Sequence, residues 1–296
     1  MPSFETYFFR AILRTLRFVR GSKVPTLQEA RHRFRRIGKL TKVHPQINIT
    51  KIGANGVSCE LFKPFRTNEE NLIVFLHGGG YTVGSLDTYR GWLSQLSHLS
   101  QTSILAVAYQ QAPEHPFPTA PSNALSAYEW VLENYPDKNI YLIGDSAGGG
   151  LCLSIMLQMR EEHIKMPHKC ILIAPWVDLE MKSDSIRRLA KKDFILREKD
   201  LQMLVNLYVG NESLQNPFIS PLNADLKNLS PIYIQQGTED IFLDEVKDLY
   251  QKLKDVGNEA SLEIWEGMPH VWHVMFDRLP EARKATQKIA NIIHHK

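Results

Sequence analysis

The chain has 296 residues, 43% of them hydrophobic and 23% charged, enough apolar content to bury a sheet on both faces without disulfides or metal. The net charge of +3 is unevenly spread: eleven Lys/Arg and one acid, Glu29, lie between Arg10 and Lys42, and the rest holds 24 basic and 31 acidic residues. Three cysteines without CxxC spacing exclude a disulfide framework, and no run reaches the roughly 18 to 20 apolar residues of a membrane-spanning helix.

Residues 1–42 read as helical, with Phe4, Phe8, Ile12, Leu16 and Val19 at steps of three and four. Arg10, Arg14, Arg17 and Arg20 flank this stripe and interrupt any signal-peptide core. With Cys152 and Cys170 set in apolar runs, a reducing, cytoplasmic location is expected. The plain reading of the segment is a helix packed by its apolar stripe, arginines in solvent. The sharper reading is peripheral contact of residues 1–20 with an acidic membrane surface. No nucleic-acid-binding motif accompanies the basic charge, so nucleic acid is not an expected partner.

From about residue 47, β-rich runs appear at INITKI, VSCELF, LIVFLH, SILAVAY, NIYLIG, CILIAP, PIYIQQ and LEIWEG. After the third, most alternate with helix-length stretches such as AYEWVLENY, GLCLSIMLQMR and VKDLYQKLKDVG. The later runs are almost continuously apolar, as in parallel strands covered on both faces, and the alternation predicts a doubly wound α/β sheet. The first two runs have no helix between them and suit an antiparallel edge. The whole chain, 1–296, is expected to form a single domain. Residues 178–230 break the rhythm with helical segments and no good strand. Together with 1–42 they are expected to form a helical cap.

Gly144-Asp145-Ser146-Ala147-Gly148 follows the strand NIYLI and precedes a helix, the context a nucleophilic serine on a tight turn requires. His77-Gly78-Gly79-Gly80-Tyr81 follows the strand LIVFL. Its glycines let backbone amides approach a developing oxyanion, so Gly79 and Gly80, with Ala147 as a third donor, are the expected oxyanion hole. Tyr81, directly after the glycines, is the expected substrate contact, ahead of Trp176, Phe194, Leu204, Tyr208 and Trp272 as further wall candidates. A P-loop is excluded by the missing Lys-Ser/Thr. A serine needs a base, and the base an orienting acid. Downstream, PIYIQQ leads into Gly237-Thr238-Glu239-Asp240, and LEIWEG into Met268-Pro269-His270. Both loops leave the C-terminal ends of strands, where open α/β sheets place their sites. Asp240 and His270 are the expected acid and base; Glu239 and Asp244 compete for the acid's place, and His273 for the base's. The eleven histidines show no HExxH-type metal spacing, and no cofactor is expected.

HGGGY (77–81), YQQAPEHPFPTA (109–120), GDSAGGG (144–150), APWVDL (174–179), GTEDIFLDE (237–245) and EGMPHVWH (266–273) together resemble the hormone-sensitive-lipase-like group of α/β-hydrolases, its bacterial acetyl-hydrolase and esterase members especially. The resemblance runs from about residue 70 to the C-terminus. It implies an α/β-hydrolase fold with a mostly parallel central sheet, Ser146 as nucleophile, Asp240 as acid and His270 as base, and short- or medium-chain acyl esters as substrates. It also selects Asp240 by its spacing to Asp244. The chain departs from the family's pattern at Gln110 and Gln111, where Arg-Leu is usual, and at Asn123, where an aspartate is common; a supporting polar network is expected to change there. The expected activity is serine carboxylesterase through an acyl-enzyme. An N-acyl amidase or deacetylase, and a non-catalytic small-ligand receptor on the same fold, are the alternatives.

Overall fold

The computed structural model describes residues 2–20 and 24–294, with the side chains of 16–20 left aside. Helices α1 (Phe4–Arg20) and α2 (Leu27–Ile37) open the chain, followed by the hairpin strands β1 (Ile47–Ala54) and β2 (Val57–Pro64). Then come β3 (Asn71–Leu76), α3 (Leu86–Ser100), β4 (Ser103–Val107), α4 (Thr119–Asn134), β5 (Asn139–Asp145), α5 (Ala147–Glu161) and β6 (Lys169–Ile173). Two helices without an intervening strand, α6 (Asp184–Arg188) and α7 (Glu198–Val209), precede β7 (Ile232–Gly237), α8 (Leu243–Asp255), β8 (Ala260–Trp265) and α9 (Pro280–His294).

The eight strands form one sheet in the order β1-β2-β4-β3-β5-β6-β7-β8. β1 pairs antiparallel with β2, and β2 with β4; the remaining pairs are parallel. Side-chain alternation divides the core between the two faces. Leu72, Val74 and Leu76 of β3 join a cluster with Ala124, Leu151 and Val246 of α4, α5 and α8. Ile73 and Phe75 join another with Trp92 and Leu93 of α3 and Ile289 of α9. All six residues of β3 are therefore buried, whereas the edge strand β1 is mostly exposed or half-buried.

The winding sense reverses at β3, which lies between β4 and β5. At such a switch point the loops leaving two neighbouring strands diverge and open a crevice at their C-terminal ends. The glycine loop after β3 and the serine turn after β5 meet there.

Near the N-terminus, Thr26 and Glu29 form a reciprocal capping box that starts α2 after Pro25. Arg31 of α2 reaches the Thr82 and Ala112 carbonyls at 2.8 and 3.0 Å and pairs with Glu114. The orientation of α1 overturns the plain reading of its stripe. Phe4, Phe8 and Ile12 face outward, and it is Phe9 and Leu13 that turn toward the core. Arg10 is drawn inward instead, its side chain only 11% exposed in an ion pair with Glu239. A nearly buried carboxylate needs a cation more than the core needs two further phenylalanines. Leu16, Arg17, Val19 and Arg20 belong to the part whose side chains are not described.

Candidate active site

β5 runs directly into Ser146, whose backbone (φ 51°, ψ −123°) is one that residues with a Cβ rarely adopt. The turn is held from several sides. The Ser146 amide donates to Ile173 O at 2.9 Å, and its carbonyl accepts the Gly149 and Trp176 amides, both at 2.9 Å. Gly148 lets α5 press against the end of β3: a Cβ there would lie 2.0 Å from Leu76 O. Ser146 thus stands at the N-terminus of α5, with Ala147 as the first helical residue and its amide lacking an intrahelical partner.

Asp145 ties this turn to the glycine loop. One carboxylate oxygen accepts the Gly78 amide at 2.9 Å, the other the Tyr89 hydroxyl at 2.8 Å. Burial pushes its pKa up to about 7 even against those two donors. His77 is buried as well, its carbonyl accepting the Tyr109 hydroxyl at 2.6 Å and its ring stacked on Tyr109, and burial lowers it to about 4. Gly79 and Gly80 have φ of +113° and +58°. Among the described residues none accepts from either amide. Gly80 faces Leu204 of α7 so closely that a Cβ would come within 2.4 Å of its Cδ1.

His270 follows β8 and Asp240 follows β7, and the two meet with Nδ1 2.8 Å from Oδ2. Asp240 is fully buried and its other oxygen accepts the Phe242 amide at 2.9 Å. Burial acts to lower the His270 pKa, but the Asp240 carboxylate, helped by Asp193 and Asp145, overcomes it and holds the imidazole above its ordinary value. The rivals are engaged elsewhere. Glu239 pairs with Arg10 and Arg14, and Asp244 with Arg188. His273 is buried against Trp272 with Nε2 2.7 Å from Gln235 Oε1, and burial drives it down to about 3.

Ser146, His270, Gly79 and Gly80 border one cavity of about 200 Å³. Its opposite walls come from the two helical stretches outside the β/α rhythm: Phe9 and Leu13 of α1, Phe34 and Ile37 of α2, Leu201 and Leu204 of α7. Apart from Thr88, Tyr89, Asp145, Ser146 and His270, every lining residue is apolar or glycine. Of the wall candidates, Trp176 and Leu204 line the cavity, while Phe194, Tyr208 and Trp272 do not. Nor does Tyr81. With φ +61°, it lies behind the glycine loop, stacked on Tyr208 at 3.8 Å and tilted against Trp176. The ring supports the wall rather than forming it. Residues 1–42 are placed in the cap by the sequence, but their individual wall residues are not; the inward pair Phe9 and Leu13 lies at a four-residue step beside the louder Phe4-Phe8-Ile12 stripe. Asp145 and Tyr89 were likewise missed as partners, being 56 residues apart.

The unusual positions are absorbed locally. Asn123 Oδ1 accepts the Gln110 amide at 3.0 Å, and Gln111 Nε2 donates to Gly84 O at 2.7 Å. Among the described residues no group of His, Cys, Asp or Glu is arranged to hold a metal ion, and no helix is long and apolar enough to cross a membrane.

Comparison with known proteins agrees with this architecture. A family model described as the alpha/beta hydrolase fold matches residues 73–274. An acetyl-hydrolase of Streptomyces hygroscopicus is 33% identical over 231 residues, 78% of this chain and 77% of its own. An esterase of Acinetobacter venetianus is 31% identical over 254 residues, 85% and 84% of the two chains. The crystal structure of an esterase from the bacterial hormone-sensitive lipase family superposes with a TM-score of 0.93 at 30% identity, covering 99% of this chain and 98% of that one.

Proposed function

The chain belongs to the alpha/beta hydrolase fold family, in its hormone-sensitive-lipase-like group, and is a serine carboxylic-ester hydrolase; from that premise we propose that Ser146, His270 and Asp240 carry the reaction on uncharged esters of short to medium acyl length. The observation that carries the assignment is the His270–Asp240 contact opening onto the same apolar cavity as Ser146 and the glycine loop.

His270, neutral and held in one tautomer by Asp240, takes the Ser146 proton through Nε2 as Oγ attacks the ester carbonyl. The tetrahedral oxyanion is stabilised by the Gly79, Gly80 and Ala147 amides, aimed before reaction and therefore costing no reorganisation. Collapse expels the alcohol with a proton from the imidazolium and leaves Ser146 acylated. Water, deprotonated by His270, then attacks the acyl-enzyme, and a second collapse releases the acid and restores Ser146. Asp240 stabilises the imidazolium in both halves without itself taking the proton. The apolar walls supplied by residues 1–42 and 178–230, acting as one cap, favour acyl and alcohol groups without charge. The acetyl-hydrolase name of the Streptomyces relative favours the short end of the acyl range.

Steady-state hydrolysis of p-nitrophenyl esters from acetate to palmitate, wild type beside Ser146→Ala, tests the reading. Turnover of short and medium chains, reduced at least about 10³-fold in the variant, is expected. Equal turnover by the variant would remove Ser146 from the mechanism. Matched ester and amide substrates separate esterase from amidase, and the ester is expected to be the better substrate. Three buried free cysteines support a reducing, cytoplasmic setting. The outward Phe4, Tyr7, Phe8 and Ile12 on the basic helix α1 support peripheral contact with an acidic lipid surface, which co-sedimentation with anionic and neutral vesicles checks.

A further inference from the structure

Asp193 lies between α6 and α7, in the insertion between β6 and β7, yet it is completely buried against the acid of the site. One carboxylate oxygen accepts the Ile195 and Leu196 amides, each at 2.8 Å. The other accepts the amide of Ile241, 48 residues away, at 3.0 Å. Ile241 directly follows Asp240. Ser185 of α6 grips the same loop, donating to the Ile241 carbonyl at 2.6 Å and accepting the Asp244 amide at 3.0 Å. The acid's loop is therefore held from the cap as well as by the strand it leaves. An apolar side chain would be easier to bury at this position than a carboxylate, and nothing in the hydrolytic steps above uses this one. Its three amide donors are what make a buried carboxylate tenable.

We propose that Asp193 is a positioning residue for ester hydrolysis: through the Ile241 amide it fixes the Asp240 carboxylate against His270, and it adds a second negative charge behind the imidazole. The proposal rests on the reading of Asp240 and His270 given above. Cap and catalytic base are thereby set as one unit. The groups bearing on His270 are Asp240 from the β7 loop, Asp145 from the end of β5 and Asp193 from the cap. The neighbouring acids are matched by cations, Glu239 by Arg10 and Arg14 of α1 and Asp244 by Arg188 of α6. Asp145 shares its charge with the Gly78 amide and Tyr89 hydroxyl. Asp193 faces Asp240 and His270; burial and Asp240 raise its own pKa to about 7, so its negative charge develops across the neutral range in which the enzyme's base must be free.

Asp193→Asn removes the charge and leaves one oxygen to serve three donors. The expected result is a kcat lower by roughly ten- to a hundredfold with KM little changed, as for a catalytic group moved by a fraction of an ångström. The acid limb of the kcat/KM profile should move to lower pH by about half a unit or more, because the imidazole loses a negative neighbour. Asp193→Glu keeps the charge but displaces it by a methylene, and should lose kcat while leaving the limb near its wild-type position. A merely structural residue would change the melting temperature and leave the limb where it was in both variants. Folded Asp193→Asn with wild-type kcat and an unmoved limb overturns the proposal; if that variant does not fold, wild-type kcat in Asp193→Glu overturns it. Ser146→Ala and Asp240→Asn run alongside. Retained turnover in either one sinks the reading of the site itself, whereas their loss beside an unaffected Asp193→Asn sinks the positioning role alone.

Discussion

Three acids stand within seven positions after β7, and each has a different partner. Glu239 meets arginines of α1, Asp244 meets Arg188, and the fully buried Asp240 meets an imidazole. Distance and burial, more than residue type, separate their tasks. Asp240→Asn should lower kcat by about 10⁴-fold, since the imidazole loses its orienting charge. Asp244→Asn, which gives up an ion pair with a half-exposed arginine, should stay within a few-fold of wild type in the same steady-state assay. The pH profile follows from the direction of the His270 shift. A base held above its ordinary value is protonated sooner as pH falls, so the acid limb of kcat/KM is expected above the free-histidine value of about 6.5. A limb well below that value would show that Asp240 does not dominate the ring's environment. Asp240 and His270 were readable in the sequence because each lies in the loop that leaves the C-terminal end of a strand. Local spacing alone left Glu239 and Asp244 as competitors of Asp240, because it cannot show which arginines fold back onto those two; the family resemblance singled out Asp240.

At the level of elements, the site is shared between a sheet that supplies chemistry and helices that supply shape. The eight strands and the antiparallel edge were legible, since continuous apolar runs and missing helices report directly on burial and connection. Helix orientation was less so. In α1 the strongest apolar periodicity points outward, because the nearly buried Glu239 draws Arg10 in and rotates Phe9 and Leu13 onto the cavity. Tyr81 misled for a related reason: adjacency to the glycines says nothing about a side chain that a left-handed backbone sends behind them. Leu204 of α7 is where an element's packing bears most directly on selectivity, because it sits over Gly80. Leu204→Ala should shift the optimum in kcat/KM toward longer acyl chains by opening space beside the glycine amides. The residue is half-buried, so the loss in stability should stay near the low end of leucine truncations, about 2 kcal/mol. A p-nitrophenyl ester series and a denaturant melt measure both. An unchanged chain-length profile would place the acyl group elsewhere in the cavity.

For the whole molecule, two buried histidines make stability depend on pH. Burial lowers His77 to about 4 and His273 to about 3, so the unfolded chain binds protons that the native one refuses. Their contribution is fully present above the unfolded value near 6.5 and is lost as pH falls toward the folded values. His273→Gln, keeping a donor toward Gln235, should flatten the loss between pH 7 and pH 4 by on the order of 3 kcal/mol relative to wild type. Parallel stability curves for the two proteins would mean that His273 is already charged, or already wet, in the native state.

The first helix is tied to the last. Ser3 and Thr6 hydroxyls both donate to Glu281 at the start of α9, at 2.9 and 2.7 Å. The partners of the second bond are separated by 275 residues. During synthesis, α1 must wait for the 275 residues that separate Thr6 from Glu281 before this anchor exists. Phe9 and Leu13 have no complete cavity to line until Met275 is made, and Arg10 waits 229 residues for Glu239. The nascent chain therefore carries an apolar, basic helix with nothing to close on until those later segments follow. The reaction chamber is complete only when these later segments have followed α1, which delays esterase action until both ends of the fold exist.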